Sequence, residues 1–190
     1  MPSTYSTDLR IELIATGEQS GTWGSTTNNN LGTLIEQAIA GQASVSVASA
    51  TQALTAFNGA SDQARCASLV LTTSTTANFA VYVPPVTKLY VVYNNSSYTA
   101  TVYASTVLGN TTAAGTGVAI PAGKSVLVRC DGTNVVPQIT YVGTTMSVGG
   151  FTLTDVAGRL VISYGGTNIA SLTSGGVLNT LGAVNSATTV

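Results

Sequence analysis

The fold of this 190-residue chain is decided by a segment that carries the pattern of a β-strand twice, KLYVVY at residues 88–93 and TATVYA at residues 99–104. Apolar and polar residues alternate in both runs, so that Leu89, Val91 and Tyr93 share one face of a strand. The turn-forming residues at 94–98 separate the two runs. The segment therefore predicts two β-strands joined by a short polar turn.

The same pattern extends outward from this segment in both directions, from residue 42 to about residue 142. The Asp131-Gly132 dipeptide lies between two such runs and predicts a tight hairpin. Short strands at regular spacing with turn signals between them are typical of an antiparallel sandwich or barrel. The predicted strands of this domain are 43–48, 52–57, 66–72, 78–83, 88–94, 99–104, 118–120, 125–130 and 135–142.

The remaining residues, 143–190, carry glycine pairs that divide four further strand-like pieces. These pieces lie at 151–154, 159–163, 168–172 and 177–181. A piece of four or five residues does not bury a face by itself. We therefore expect a glycine-punctuated β stem that intertwines with identical chains, the alternative being a flexible glycine-rich tail.

The first 41 residues are predicted to form an extended arm and a short amphipathic helix. No periodicity is present up to Gly24, and then Leu31, Leu34, Ile35, Ala38 and Ile39 form one apolar stripe at helical spacing. Ser25 or Thr26 is expected to cap the start of the helix, and Gly41 to take a left-handed conformation at its end. A helix of this length needs another surface to pack on.

Composition excludes several classes of function. Only 7% of residues are charged, the net charge is −1 and histidine is absent, so that general acid–base catalysis and nucleic-acid binding lack their usual residues. We predict no enzyme activity, cofactor or metal site. No apolar stretch approaches the ~20 residues of a membrane span, and we expect no secretion signal. Cys66 and Cys130 are predicted to be buried free thiols.

The amino-terminal sequence carries a more specific signal. The stretch MPSTYSTDLR at 1–10 and the core GEQSGTWG at 17–24, followed by an Asn-rich helix start, resemble the amino-terminal segment of tail-fibre and other virion structural proteins of tailed marine and cyanobacterial bacteriophages. The strand and turn at 89–96 and the hairpin at 121–134 are similar to the β domain that follows in those proteins.

The resemblance implies a homotrimeric short tail fibre or fibre adaptor in the virion, made in the host cytoplasm and not secreted. Its amino terminus would dock onto a tail adaptor, portal-proximal or baseplate protein, and its far end would meet a receptor-binding protein or a host glycan. The partner-docking residues would be Gly17, Glu18, Gln19, Gly21, Thr22, Trp23, Gly24, Leu31, Leu34 and Ile35.

Three alternatives remain open from the residues. Trp23 either fills a pocket of a partner, as exposed aromatic anchors do, or packs onto Leu31 and Leu34 of its own subunit. A capsid-decorating or head-fibre protein would use the same arm. A carbohydrate-binding module would use the tyrosines on the predicted strands, which otherwise serve in packing.

Overall fold

The computed structural model of the chain describes residues 2–139 and 145–180. Its contacts divide the chain into two compact units, residues 1–138 and residues 139–190. The predicted boundary between residues 142 and 143 lies outside the described residues. The fold is mainly β, as predicted, with 44% of residues in strands and 12% in helices.

The strands of the first unit follow the predicted runs closely. The run predicted at 52–57 is the largest difference, because only its first two residues lie in a strand. Of the run at 135–142, residues 135–137 form a strand, residues 138 and 139 do not, and the rest lie outside the described residues. The strands of this unit are β1 (Thr4–Tyr5), β2 (Glu12–Leu13), β3 (Gln42–Val47), β4 (Thr51–Ala53), β5 (Ser68–Thr73), β6 (Phe79–Val83), β7 (Thr87–Asn94), β8 (Ala100–Ala104), β9 (Val118–Ile120), β10 (Ser125–Asp131) and β11 (Val135–Pro137).

Strands β3 to β8 alternate between two sheets, of order β11-β10-β7-β5-β3 and β4-β6-β8-β9. The prediction that this domain is antiparallel is wrong: β3, β5 and β7 are parallel, as are β4, β6 and β8, and only β9, β10 and β11 pair antiparallel. The chain crosses to the other sheet after each strand and returns running in the same direction. Gln42 therefore pairs with Ser68, and Ser68 pairs with Val91.

The two sheets enclose one hydrophobic core, to which both contribute fully buried residues such as Val45, Leu71, Val81 and Val102. Strand β7 has the predicted alternation: Leu89 and Val91 are exposed, while Tyr90, Val92 and Asn94 are buried. The buried amide of Asn94 donates to the carbonyls of Tyr98 (2.7 Å) and Ile120 (2.8 Å), and so ties β7 to the other sheet.

The hairpin predicted at Asp131-Gly132 is confirmed between β10 and β11. Gly132 has a φ of 97°, a conformation that glycine adopts without strain. A carboxylate oxygen of Asp131 accepts hydrogen bonds from the backbone N–H groups of Thr133 (2.9 Å) and Asn134 (2.7 Å). These bonds lower the pKa of Asp131.

The amino-terminal arm is less extended than predicted. Strands β1 and β2 pair as a short antiparallel hairpin, and the turns that follow carry residues with positive φ at Gly17 (85°), Gln19 (58°) and Gly21 (81°). These turns lie between the hairpin and the helix. A sequence without periodicity does not predict them.

The predicted helix is present but begins and ends differently. It runs without a break through α1 (Trp23–Asn29), a π-helical turn (Asn30–Ile35) and α2 (Glu36–Ala40). Ser25 and Thr26 lie inside it, so their predicted role as caps is wrong. Gly41 has an extended conformation (φ −70°, ψ 143°) and not the left-handed one. Glycine is required there because a Cβ would lie 2.7 Å from the Cα and the carbonyl oxygen of Gln37.

The second unit contains one sheet among its described residues, in which consecutive strands pair antiparallel. Each of the four predicted pieces overlaps one strand, and the strand at 145–148 was not predicted. Glycines with positive φ at 149, 165, 166 and 176 lie between them, as predicted. The strands are β12 (Thr145–Val148), β13 (Phe151–Val156), β14 (Arg159–Tyr164), β15 (Thr167–Thr173) and β16 (Leu178–Thr180).

Candidate interaction surface

The helical segment 23–40 is anchored to the β domain along one side. Leu34 is fully buried, and the amide of Asn29 donates to the carbonyl of Gly59 (3.1 Å). At the far end, the backbone N–H groups of Ala67 and Ser68 donate to the carbonyls of Gln37 (3.1 Å) and Gly41 (3.0 Å). The helix is therefore an integral layer of the first unit and not a separate arm.

Three large apolar side chains of the helical segment are exposed, as are the polar side chains of Ser25, Asn28 and Glu36. The exposed fractions of Trp23, Leu31 and Ile39 are 62%, 59% and 74%. The two successive spacings of eight residues would rotate a regular α-helix by about 160° in total, and the π-helical turn at Asn30–Ile35, with more residues per turn, reduces this rotation. The three side chains form what we call the exposed apolar strip, roughly 20–24 Å long at about 1.5 Å per residue.

The residues beside the strip carry almost no charge and little bulk. Glu36 is the only charged residue between positions 23 and 40. Gly24 and Gly32 each lie one position after a strip residue, and a Cβ built on either meets no atom within 4 Å. Glycine costs about 1 kcal/mol relative to alanine inside a helix, and no contact within the described chain accounts for either one.

The turn before the helix holds most of the other predicted docking residues. Gln19 joins two elements: its amide donates to a carboxylate oxygen of Glu12, and its side-chain oxygen accepts from the hydroxyl of Thr26. Its backbone carbonyl accepts from the N–H groups of Thr22 and Trp23, both at 2.9 Å. Gln19 therefore holds the start of the helix against the hairpin.

The remaining predicted residues separate into exposed and buried positions. Gly17, Gly21 and Thr22 are exposed in the turn, and Glu18 accepts a hydrogen bond from the hydroxyl of Ser3 (2.8 Å). Ile35 is half-buried. Leu34 is not accessible to a partner, because its side chain is fully buried, and it anchors the helix instead. Trp23 does not pack into the core of its own subunit.

The loop between β4 and β5, residues 54–67, contacts the helix. It is held in place by a buried charged residue that the sequence did not single out. Arg65 is 1% exposed. It donates from Nε to the carbonyl of Ala60 (3.0 Å) and from Nη2 to the carbonyl of Phe57 (2.9 Å). The carboxylate of Asp62 accepts from the hydroxyl of Thr55 (2.8 Å) at the other end of the loop.

This loop then contacts the amino-terminal segment. The N–H of Gly59 donates to the carbonyl of Arg10 (2.8 Å), and its carbonyl accepts from Asn29. Burial lowers the pKa of Arg65 and, with the charge of Arg65 beside it, lowers that of Lys88 to about 8. A single arginine among mainly uncharged residues gives no sequence signal of such a role.

The cysteines and tyrosines have structural roles in the first unit. Cys66 and Cys130 are buried free thiols, as predicted, and burial raises the pKa of each. Tyr82 and Tyr90 are buried, and the ring of Tyr82 stacks on Tyr103 with centroids 5.5 Å apart. Tyr82, Tyr90 and Tyr103 therefore use their rings in packing, and Tyr141 lies outside the described residues.

Comparison of the chain with models of known protein families, with curated proteins and with solved structures finds no match. Within residues 2–139 and 145–180, no helix has both the length and the apolar character needed to cross a membrane. No group of three or more metal-ligating side chains comes together in the same described ranges.

Proposed function

We propose that this chain is a structural subunit of a phage virion, a short tail fibre or fibre adaptor that assembles as a homotrimer. It docks onto another virion protein through the exposed apolar strip of Trp23, Leu31 and Ile39. The sequence likeness of residues 1–41 to fibre attachment segments supports the kind of particle, and the open side of an anchored helix supports the surface.

The single observation that carries the proposal is the exposure of three large apolar side chains on a helix whose other side is already fixed. Exposed apolar patches of this kind mark interaction sites in folded proteins. Trp23 is the residue type most enriched among interface anchors. Gly24 and Gly32 leave room beside the strip for a partner's backbone or side chains to approach closely.

The partner is expected to present an apolar groove with little charge. The helical segment that carries the strip has one carboxylate, Glu36, and no basic residue, so an ion-pair network cannot supply the binding energy. Burial of apolar area at about 25 cal/mol per Å² is then the main favourable contribution. Binding through such a surface is expected to be insensitive to salt.

The test is incorporation of the chain into virions made during infection by the phage that encodes it, with variants supplied in trans and purified particles analysed by mass spectrometry. Ile39→Ser and Trp23→Ala alter the strip. Val107→Ser is the matched control, because Val107 is also 62% exposed but lies elsewhere in the first unit.

Both strip variants are expected to lower incorporation by roughly thirtyfold, which corresponds to the ~2 kcal/mol of an anchor residue. The control is expected to enter particles at the parental level. All three variants should keep parental thermal stability, because surface substitutions change it by about 0.5 kcal/mol or less. Parental incorporation of the strip variants would contradict the proposed docking surface.

A further inference from the structure

The sheet of the second unit has two faces of opposite character. In paired antiparallel strands, directly opposite residues lie on the same face. Phe151 lies opposite Tyr164, with ring centroids 4.9 Å apart, and Leu153 lies opposite Ile162. The apolar face formed in this way contains Met146, Phe151, Leu153, Leu160, Ile162, Tyr164, Ala170, Leu172 and Leu178.

The other face is mainly polar. Thr154 lies opposite Val161, and Val161 opposite Ser171, while the hydroxyl of Ser163 donates to the side-chain oxygen of Asn168 (2.7 Å). Alternation of this kind, apolar on one side and polar on the other, is typical of a sheet that packs against a second layer on one side only. The apolar face is therefore the one built to be covered.

No layer covers that face among the described residues of the second unit. Phe151, Leu160, Leu172 and Leu178 are each more than 40% exposed, and Val161, which is buried, lies on the other face. Folded domains need at least two packed layers. This five-stranded sheet has one, so its apolar face requires a partner.

We infer that the apolar face of β12–β16 packs against the same face of other copies of this chain. This inference rests on the proposed function for the trimer and names the surface that joins the copies. The apolar face offers one charged residue, Asp155, whose carboxylate accepts from the N–H of Gly158 (3.0 Å) in its own turn. Without other charge, the face has no polar pattern that would select a different protein.

The size of the face and the folding requirement also favour a second copy. The five strands, of three to seven residues each, lie about 4.8 Å apart and rise about 3.3 Å per residue, which gives a face of roughly 400 Å². Its corrugated side-chain surface is of the same order as the ~800 Å² that each partner contributes to a standard interface. A sheet that requires a second layer for stability requires it as soon as the chain folds. Other copies of the same chain are the partner that is always present at that time.

The first test measures mass by sedimentation velocity for three forms of the full chain. Leu172→Asp places a charge on the apolar face, and Ser171→Asp places the same charge at the next position, on the opposite face. The parent and Ser171→Asp are expected to sediment at about three times the 19.1 kDa of one chain. Leu172→Asp is expected to raise the concentration of half-dissociation at least tenfold.

The second test keeps the remaining residues of the face intact, in case Leu172→Asp prevents the sheet from folding. Stacked sheets lie about 10 Å apart, so a bismaleimide of similar reach is used in preference to a disulfide, which needs Cα atoms within ~7 Å. Leu172→Cys is expected to cross-link copies, and Ser171→Cys is not. The buried thiols of Cys66 and Cys130 make the parent chain the background control.

A parent that sediments as a monomer, or equal cross-linking of the two cysteine variants, would overturn the inference. A dimer cross-linked at Leu172 would support the face contact and contradict the trimer. A trimer that forms through this face but does not enter particles would contradict the docking proposal alone. The failure of one proposal is therefore distinguishable from the failure of the other.

Discussion

Two glycines, one inside the helical segment and one directly after it, should respond in opposite ways to substitution by alanine. Gly32 lies in the π-helical turn with open space around its missing Cβ, whereas a Cβ at Gly41 would lie 2.7 Å from the Cα and the carbonyl oxygen of Gln37. Alanine is favoured over glycine inside a helix by about 0.8–1.0 kcal/mol. Gly32→Ala should therefore raise the free energy of unfolding by about that amount.

Gly41→Ala should do the opposite. The overlap is with backbone atoms of Gln37, which cannot rotate away, and Gly41 is also fixed by the hydrogen bond that its carbonyl accepts from Ser68 (3.0 Å). Overpacking of this kind costs about 1–3 kcal/mol. The two variants should therefore differ by about 2–4 kcal/mol in the free energy of unfolding, although each adds one methyl group to a glycine of one short segment.

The assay is differential scanning calorimetry of the purified full chain. For a chain of this size, 1 kcal/mol corresponds to a shift in Tm of about 2–4 °C. We expect Gly32→Ala to melt a few degrees above the parent and Gly41→Ala several degrees below it. A lower Tm for Gly32→Ala would refute the conclusion that this side of the helix is open, and an unchanged Tm for Gly41→Ala would refute the close approach to Gln37.

Four further predictions concern three buried or partly buried polar side chains and Trp23. Arg65→Met should lower the free energy of unfolding in urea denaturation by about 1–3 kcal/mol, because the carbonyls of Ala60 and Phe57 lose their hydrogen bonds from the buried guanidinium; a smaller loss would contradict the role of this guanidinium. Asn94→Ala should cost a similar amount, measured in the same way, since its amide bond to Ile120 joins the two sheets and its bond to Tyr98 holds the loop after β7; a neutral result would count against that tie. Lys88 binds fewer protons when folded, because its pKa falls from 10.5 to about 8, so stability should rise as the pH increases from about 8 to 10.5. Lys88→Met should flatten that rise, and an equal slope in both proteins would rule out this lysine as its source. Trp23→Ala should leave the Tm within about 2 °C of the parent, and a larger fall would show that Trp23 packs within its own subunit.

The strands and turns of this protein were largely readable from sequence, because they depend on local chemistry. Alternation identifies the two faces of β7, and an Asp-Gly pair fixes the hairpin at 131–132 through a positive φ and side-chain acceptors. The glycine pairs of the second unit likewise mark turns. Each of these features is specified within a few residues of chain.

The direction of strand pairing could not be predicted from the sequence, because it depends on which sheet the chain enters next. A strand such as β5 has the same alternation whether its neighbour runs parallel or antiparallel. The start of the helix was misplaced for a related reason. Trp23 and Gly24 are weak helix formers and carry no stripe, but the preceding turn, held by Gln19, sets the first helical residues in place.

The exposed apolar strip could be predicted only in part from the sequence. The helical stripe was recognised, but sequence spacing alone assigned Leu31, Leu34 and Ile39 to one face, whereas the π-helical turn changes the rotation between them. Leu34 is buried and the other two are exposed. Arg65, which organises the loop between β4 and β5, has no pattern that separates it from a surface arginine.

The most direct measurement of the central claim is a cryo-EM map of the intact particle at a resolution that separates side chains. Our proposal predicts that Trp23, Leu31 and Ile39 lie against a different virion protein, in a groove with few charged residues. A map in which these three side chains face solvent, with that protein held by another part of this chain, would contradict it.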